Sequence, residues 1–136
     1  MNTMKNIEVV AGIIRSSAED GSPLYLATQR GYGDCKGMWE FPGGKMEPGE
    51  TREQALVREL SEELDIQVSV EEYLCTVAQD YPGRHVTLHC FFCHILSGKP
   101  TLREHESARW LSREKLRTVN WLPADITVVD AIEKRP

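Results

Sequence analysis

Strands interleaved with two substantial helices predict an α/β fold built in layers, and three features of the sequence carry that expectation. β-forming residues crowd positions 7–14 (IEVVAGII), 23–30 (PLYLATQR) and 85–96 (HVTLHCFFCHIL). A segment over 51–64 has a cap at its start and an apolar stripe along it. A second segment, after Pro123, sets Ile126, Val129 and Ile132 on one face. The 136 residues amount to one domain over 1–136, enough to bury roughly 70% of the unfolded surface, with no internal repeat and no linker-like stretch.

The elements follow in order. The first two strands turn around Glu19-Asp20-Gly21-Ser22, a run of turn formers. Residues 31–37 read as a glycine-rich loop and 38–41 as a short strand. Residues 42–50 read as a second loop, holding Gly43, Gly44 and Gly49 with Pro42 and Pro48. Thr51 and Gln54 make a capping box, and Glu50 and Glu53 suit the positive end of the helix dipole. Strands near 72–79 and 85–96 are joined by the turn Asp80-Tyr81-Pro82-Gly83. A short strand over 107–111 and a helical turn over 112–117 lead to the last helix, where Pro123 fits the first turn.

Composition narrows the function classes. A net charge of −5 argues against a binder of nucleic acid polymers, which normally presents a basic stripe. It leaves a nucleotide substrate open, because metal ions can invert the local field. No run approaches the ~20 apolar residues of a membrane span, and the N-terminus lacks a signal peptide's apolar core. The expected setting is cytoplasmic, with no membrane partner, as monomer or homodimer. Cys90 and Cys93, flanked by His89 and His94, have a zinc-like spacing. On a strand, positions three apart face opposite ways, so a set of reduced thiols is the better reading. His85, His89 and His94 read as packing or surface residues.

The densest chemistry lies between residues 44 and 66. At about 100° per residue, Glu62 and Glu63 fall roughly 60° and 40° to either side of Glu59, so three carboxylates share one narrow helix face. Leu56, Leu60 and Leu64 form a neighbouring stripe for burial against a sheet. Like charges three and four apart repel, and a merely solvated face would intersperse lysines. The Pro42-Gly43-Gly44 loop lets backbone approach a ligand closely and adds carbonyl oxygens to the carboxylates. Magnesium takes such oxygen ligands and shares them with substrate phosphates.

Gly44, Glu50, Arg58, Glu59, Leu60, Glu62, Glu63 and Ile66 resemble the signature of the Nudix hydrolases, G-x5-E-x7-R-E-U-x-E-E-x-G-U, in one register. The family's second glycine is Asp65 here, a residue that tolerates the left-handed conformation which closes the helix. The resemblance implies a Nudix fold, an α/β/α sandwich around a mixed sheet. It implies that Glu59, Glu62 and Glu63, with the Gly44 carbonyl, hold magnesium or manganese, and that Glu50 and Arg58 pair to brace the loop. Water activated by the metal would be the nucleophile, with Glu59 or a loop glutamate taking its proton.

Outside that stretch, Trp39 to Lys45 (WEFPGGK) and Tyr81 to Leu88 (YPGRHVTL) resemble the MutT-like branch, which implies hydrolysis of nucleoside triphosphates to monophosphate and pyrophosphate. Arg30, Trp39, Lys45 and Asp125 are the substrate-facing candidates, and Glu104 is a further catalytic one, in a register that the neighbouring Glu106 leaves open. Arg30 suits phosphate, or is a plain surface arginine. Trp39 can stack on a base, or pack in the core. LPADI over 122–126 resembles bacterial CTP pyrophosphohydrolases, and His105-Glu106 echoes them. An ionised Asp125 would accept from cytosine's amine; otherwise it only favours the helix dipole. The expected substrate is CTP, dCTP or a modified cytidine nucleotide. The alternatives are 8-oxo-dGTP and a non-catalytic nucleotide-binding module.

Overall fold

The computed structural model describes residues 4–103 and 105–135. Its strands are β1 (Lys5–Ser17), β2 (Pro23–Arg30), β3 (Trp39–Glu40), β4 (Gly43–Lys45), β5 (Gln67–Tyr81), β6 (Arg84–Ser97) and β7 (His105–Ser112). Helix α1 (Arg52–Leu64) follows β4, a 3-10 turn (Arg113–Thr118) follows β7, and α2 (Pro123–Glu133) comes last.

The long first strand organises the sheet. One edge of β1 runs parallel to β6 from the Lys5–Arg84 pair to the Ile14–Cys93 pair. The other edge takes β4 antiparallel at Val9 to Ala11 and β2 antiparallel at Arg15 to Ser17. β5 pairs antiparallel with β6, and β7 with β2, so the sheet is mixed.

Alternation along β1 divides the core in two. Val10 and Ile14 face α1 together with Leu56, Leu60 and Leu64, all fully buried. Ala11 and Ile13 face the opposite way, with Val128, Val129 and Ile132 of α2. The helices therefore cover both faces, as expected for a sandwich. Burying each such leucine or isoleucine stabilises the fold by roughly 1.5–3 kcal/mol. Cys90 and Cys93 fall in different halves of the core, which removes the zinc spacing from consideration. Gly12 lies where α1 presses on β1: a Cβ there would come 3.0 Å from Leu60 Cδ1.

The α1 termini follow the sequence closely. Thr51 Oγ1 accepts from the Gln54 N–H at 3.1 Å, and the Gln54 side chain accepts from the Thr51 N–H at 3.0 Å. Asp65 closes the helix at φ 56°, the left-handed conformation.

Two boundaries differ from expectation. Residues 43–45 are a strand rather than loop, because β1 supplies a free edge on which even glycines can pair. β5 begins at Gln67, earlier than expected, since register shifts between Val70 and Cys75 break the alternation a strand would display.

Candidate active site

Strand β4 brings the glycine loop against α1 at a distance only glycine permits. A Cβ on Gly43 would lie 1.9 Å from the Val10 carbonyl oxygen, and one on Gly44 would lie 2.3 Å from Glu59 Oε2. The Glu59 carboxylate is thus seated directly on the Gly44 backbone.

Arg58 ties loop to helix. Its Nε and Nη2 donate to Glu50 at 2.6 and 2.9 Å, and Nη2 also donates to the Lys45 carbonyl at 3.0 Å. The bidentate pair holds the Glu50 carboxyl below its ordinary range. Arg58 Nη1 reaches Glu59 at 2.9 Å and Glu62 at 3.2 Å.

The three helix glutamates are not equivalent. Glu59 and Glu63 are 12% and 18% exposed and line a cavity of about 590 Å³. Glu62 is 60% exposed, leans on Arg58, and stands outside that lining. Among the described residues no three acidic, histidine or cysteine side chains close into a ready-made metal cage. The donor set still fits a hard cation, because Glu59 and Glu63 offer only oxygen and no side chain stands between Glu59 and the Gly44 backbone. Glu104 lies outside the described residues, as does the side chain of Glu106.

Across the cavity stand Arg30, Tyr32, Phe41, Lys45, Tyr81, Arg84 and Asp125, over an apolar floor that includes Val9, Ala11 and Leu88. Arg30 is engaged rather than free: Nη2 and Nε donate to Glu40 at 2.7 and 3.2 Å. Burial opposes ionisation of Glu40, but His105 and Arg30 outweigh it and hold the carboxyl below its ordinary value. His105 Nε2 stands 3.5 Å from Glu40 and 3.9 Å from Glu63, with its side chain 3% exposed. This histidine links the cavity wall to the acidic helix. Sequence reading noted His105-Glu106 only as an echo of relatives and attached no role to the histidine, because it meets Arg30 across two strands that need not be neighbours.

Two expectations need correction. Trp39 does not line the cavity: it is buried in the core, with the Arg109 guanidinium 4.9 Å from its ring centre. A two-residue strand with a partner on each side had no room to turn the indole outwards. Its backbone instead bridges to Trp121, donating to the Asn120 carbonyl and accepting from Leu122. That bridge and the stacked Phe41–Trp121 rings, 4.5 Å apart, set the start of α2 against Phe41.

Asp125 is consequently buried, and its Oδ1 accepts from the Phe41 N–H at 3.0 Å. Burial pushes its pKa up to about 8, against the pull of the Phe41 bond. Burial thus favours the neutral acid, which has a donor as well as acceptors, over the ionised carboxylate of the base-reading expectation.

With this geometry in view, comparison with known proteins is informative. The NUDIX domain family matches residues 6–131. The chain is 42% identical over 128 residues to the CTP pyrophosphohydrolase of Escherichia coli, covering 94% of this chain and 92% of the relative. It is 37% identical over 123 residues to the putative 8-oxo-dGTP diphosphatase 2 of Mycobacterium tuberculosis, covering 90% and 84%. The solution structure of the Escherichia coli ORF135 protein superposes with a TM-score of 0.78 at 39% identity, covering 98% of this chain and 92% of that one. A mixed sheet between two helices, with Glu59 seated against a glycine strand and Glu63 beside it on the cavity lining, defines a candidate hydrolase site. The chain belongs to the Nudix family and is a Nudix hydrolase, related to bacterial CTP pyrophosphohydrolase and MutT-like enzymes. No described helix is long and apolar enough to cross a membrane.

Proposed function

We propose that this enzyme hydrolyses nucleoside triphosphates to monophosphate and pyrophosphate, with cytidine nucleotides preferred and magnesium as the metal. The observation that carries the base preference is Asp125, a buried carboxyl on the cavity wall anchored by the Phe41 N–H. As a neutral acid it pairs a donor O–H with an acceptor oxygen. Cytosine presents the complement, a ring-nitrogen acceptor beside an amine donor.

Glu59 and Glu63, with the Gly44 carbonyl, would hold the metal, and Glu62 would join from the same helix face. When bound, magnesium supplies positive charge to the polyphosphate and acidifies an attacking water. Arg58 keeps Glu59 oriented and locks the loop through Glu50. Lys45 and Arg84 add positive charge at the cavity, where triphosphate charge needs balancing. Arg30 orients Glu40 and presents the rest of its guanidinium to phosphate. A glutamate of this set, or Glu104, would accept the proton of the attacking water.

A second reading is hydrolysis of 8-oxo-dGTP. The same donor and acceptor on Asp125 match a guanine edge with the order reversed, and the relative at 37% identity carries that activity in its name. The longer likeness at 42% identity favours cytidine. Initial rates with CTP, 5-methyl-dCTP, 8-oxo-dGTP and ADP-ribose test the ranking. A kcat/KM for 8-oxo-dGTP at least tenfold above that of every cytidine nucleotide would overturn it.

A further inference from the structure

Cys75 of β5 and Cys90 of β6 stand directly opposite each other in antiparallel register. Both side chains point into the half of the core beneath α2. Residues directly opposite in such a pair have Cα atoms about 4.5–5.5 Å apart, inside the range a disulfide spans. Both are thiols in this structure.

The two positions differ in access and in charge. Cys90 is fully buried, while Cys75 is partly exposed. The Arg135 guanidinium lies beside Cys75, held by the Tyr73 carbonyl at 3.0 Å and by Glu72. The hydrogen bond between the Cys75 and Cys90 sulfurs lowers the pKa of Cys75, and the Arg135 charge adds to the effect. The same contact, with burial, raises Cys90. The more accessible sulfur is therefore the one more readily deprotonated, and the hidden sulfur the one that keeps its proton. Cys93 has no part in this arrangement, since it faces the other half of the core and burial pushes it up to about 12.

We propose that Cys75 and Cys90 form an oxidisable pair, in which Cys75 reacts with a peroxide and Cys90 resolves the product into a cross-strand disulfide. In the first step the Cys75 thiolate attacks hydrogen peroxide: the S–O bond forms, the O–O bond breaks, and hydroxide leaves. In the second, Cys90 sulfur attacks the Cys75 sulfenic acid. The S–S bond forms, the S–O bond breaks, and the departing hydroxide leaves as water with the Cys90 proton. Two thiols and one peroxide give one disulfide and two waters.

The position of the bond gives it meaning. It closes the β5–β6 hairpin that carries Tyr81 and Arg84 to the cavity. Cys90 is also the register partner of Ala11 on the cavity floor. Oxidation would therefore pin the strand pair on which one wall of the substrate site is built. The inference stands apart from the choice of nucleotide.

The test is mass spectrometry of the whole folded chain after graded hydrogen peroxide and alkylation of remaining thiols. The expected product is an intramolecular species lighter by two hydrogens, with fragment ions that link Cys75 to Cys90, reversed by dithiothreitol. In Cys90→Ala, Cys75 should stop at a sulfenic acid that dimedone traps. In Cys75→Ala, Cys90 should remain unmodified. Consumption of Cys35 as fast as Cys75, or oxidation of Cys75 with no linked peptide, would overturn the proposal. Circular dichroism of each variant confirms that it is folded.

Discussion

Replacing Asp125 with asparagine probes the most consequential feature of the cavity. Burial raises this carboxyl from 3.8 to about 8, so between those values the folded state holds a proton that the unfolded chain has released. Stability contributed at this site is full below about pH 4 and is lost as pH rises towards 8. At about 1.4 kcal/mol per pH unit, the loss between about pH 5 and pH 8 is roughly 3–4 kcal/mol. Asparagine keeps an oxygen to accept the Phe41 N–H and has no proton to lose. Urea unfolding of both proteins at the two pH values isolates the effect, because other titrating groups contribute nearly equally to each. The asparagine variant should gain on the wild type by that amount at the higher pH. A stability difference that stays constant across the range would refute a neutral, buried Asp125.

Other expectations follow from the same site. If the Asp125 proton helps read the base, the KM for CTP should rise as pH passes through about 8 in the wild type and show no such step in Asp125→Asn. Glu63→Gln should lower kcat by about a hundredfold or more while circular dichroism stays unchanged, and near-normal turnover would remove the helix face as the metal site. Gly44→Ala would bring a methyl group to 2.3 Å from Glu59 Oε2 and force that carboxylate away. Its rate should need several-fold more magnesium to saturate, and an unaltered magnesium titration would show that Glu59 need not rest on Gly44.

How much was legible beforehand depends on whether the relevant physics is local. The capping box and the buried leucine stripe of α1 are set within a few residues and were readable from spacing, while the left-handed Asp65 followed from the glycine it replaces in the Nudix signature. The pairing of Glu50 with Arg58 came from the resemblance to the Nudix signature, and the structure forms it. Trp39 misled because its fate was decided by Trp121, more than eighty positions away, whose bridge turned a candidate stacking surface into core. The β4 strand was hidden for a related reason: glycines carry no strand preference, and only the edge of β1 recruits them.

The sequence by itself determined the layout of the acidic helix, and the reaction is what its resemblance to the Nudix signature implies. A fixed spacing of glutamates on a helix behind a glycine loop depends only on helical pitch, and no tertiary contact is needed to state it. The tertiary structure alone decided which of those glutamates face the cavity, that Arg30 is already held by Glu40, and that His105 joins that pair to the acidic helix. It also raised the pKa of Asp125, because a pKa depends on what surrounds a group once the chain has closed around it. Covalent order sets which residues are available, and burial sets their protonation and partners.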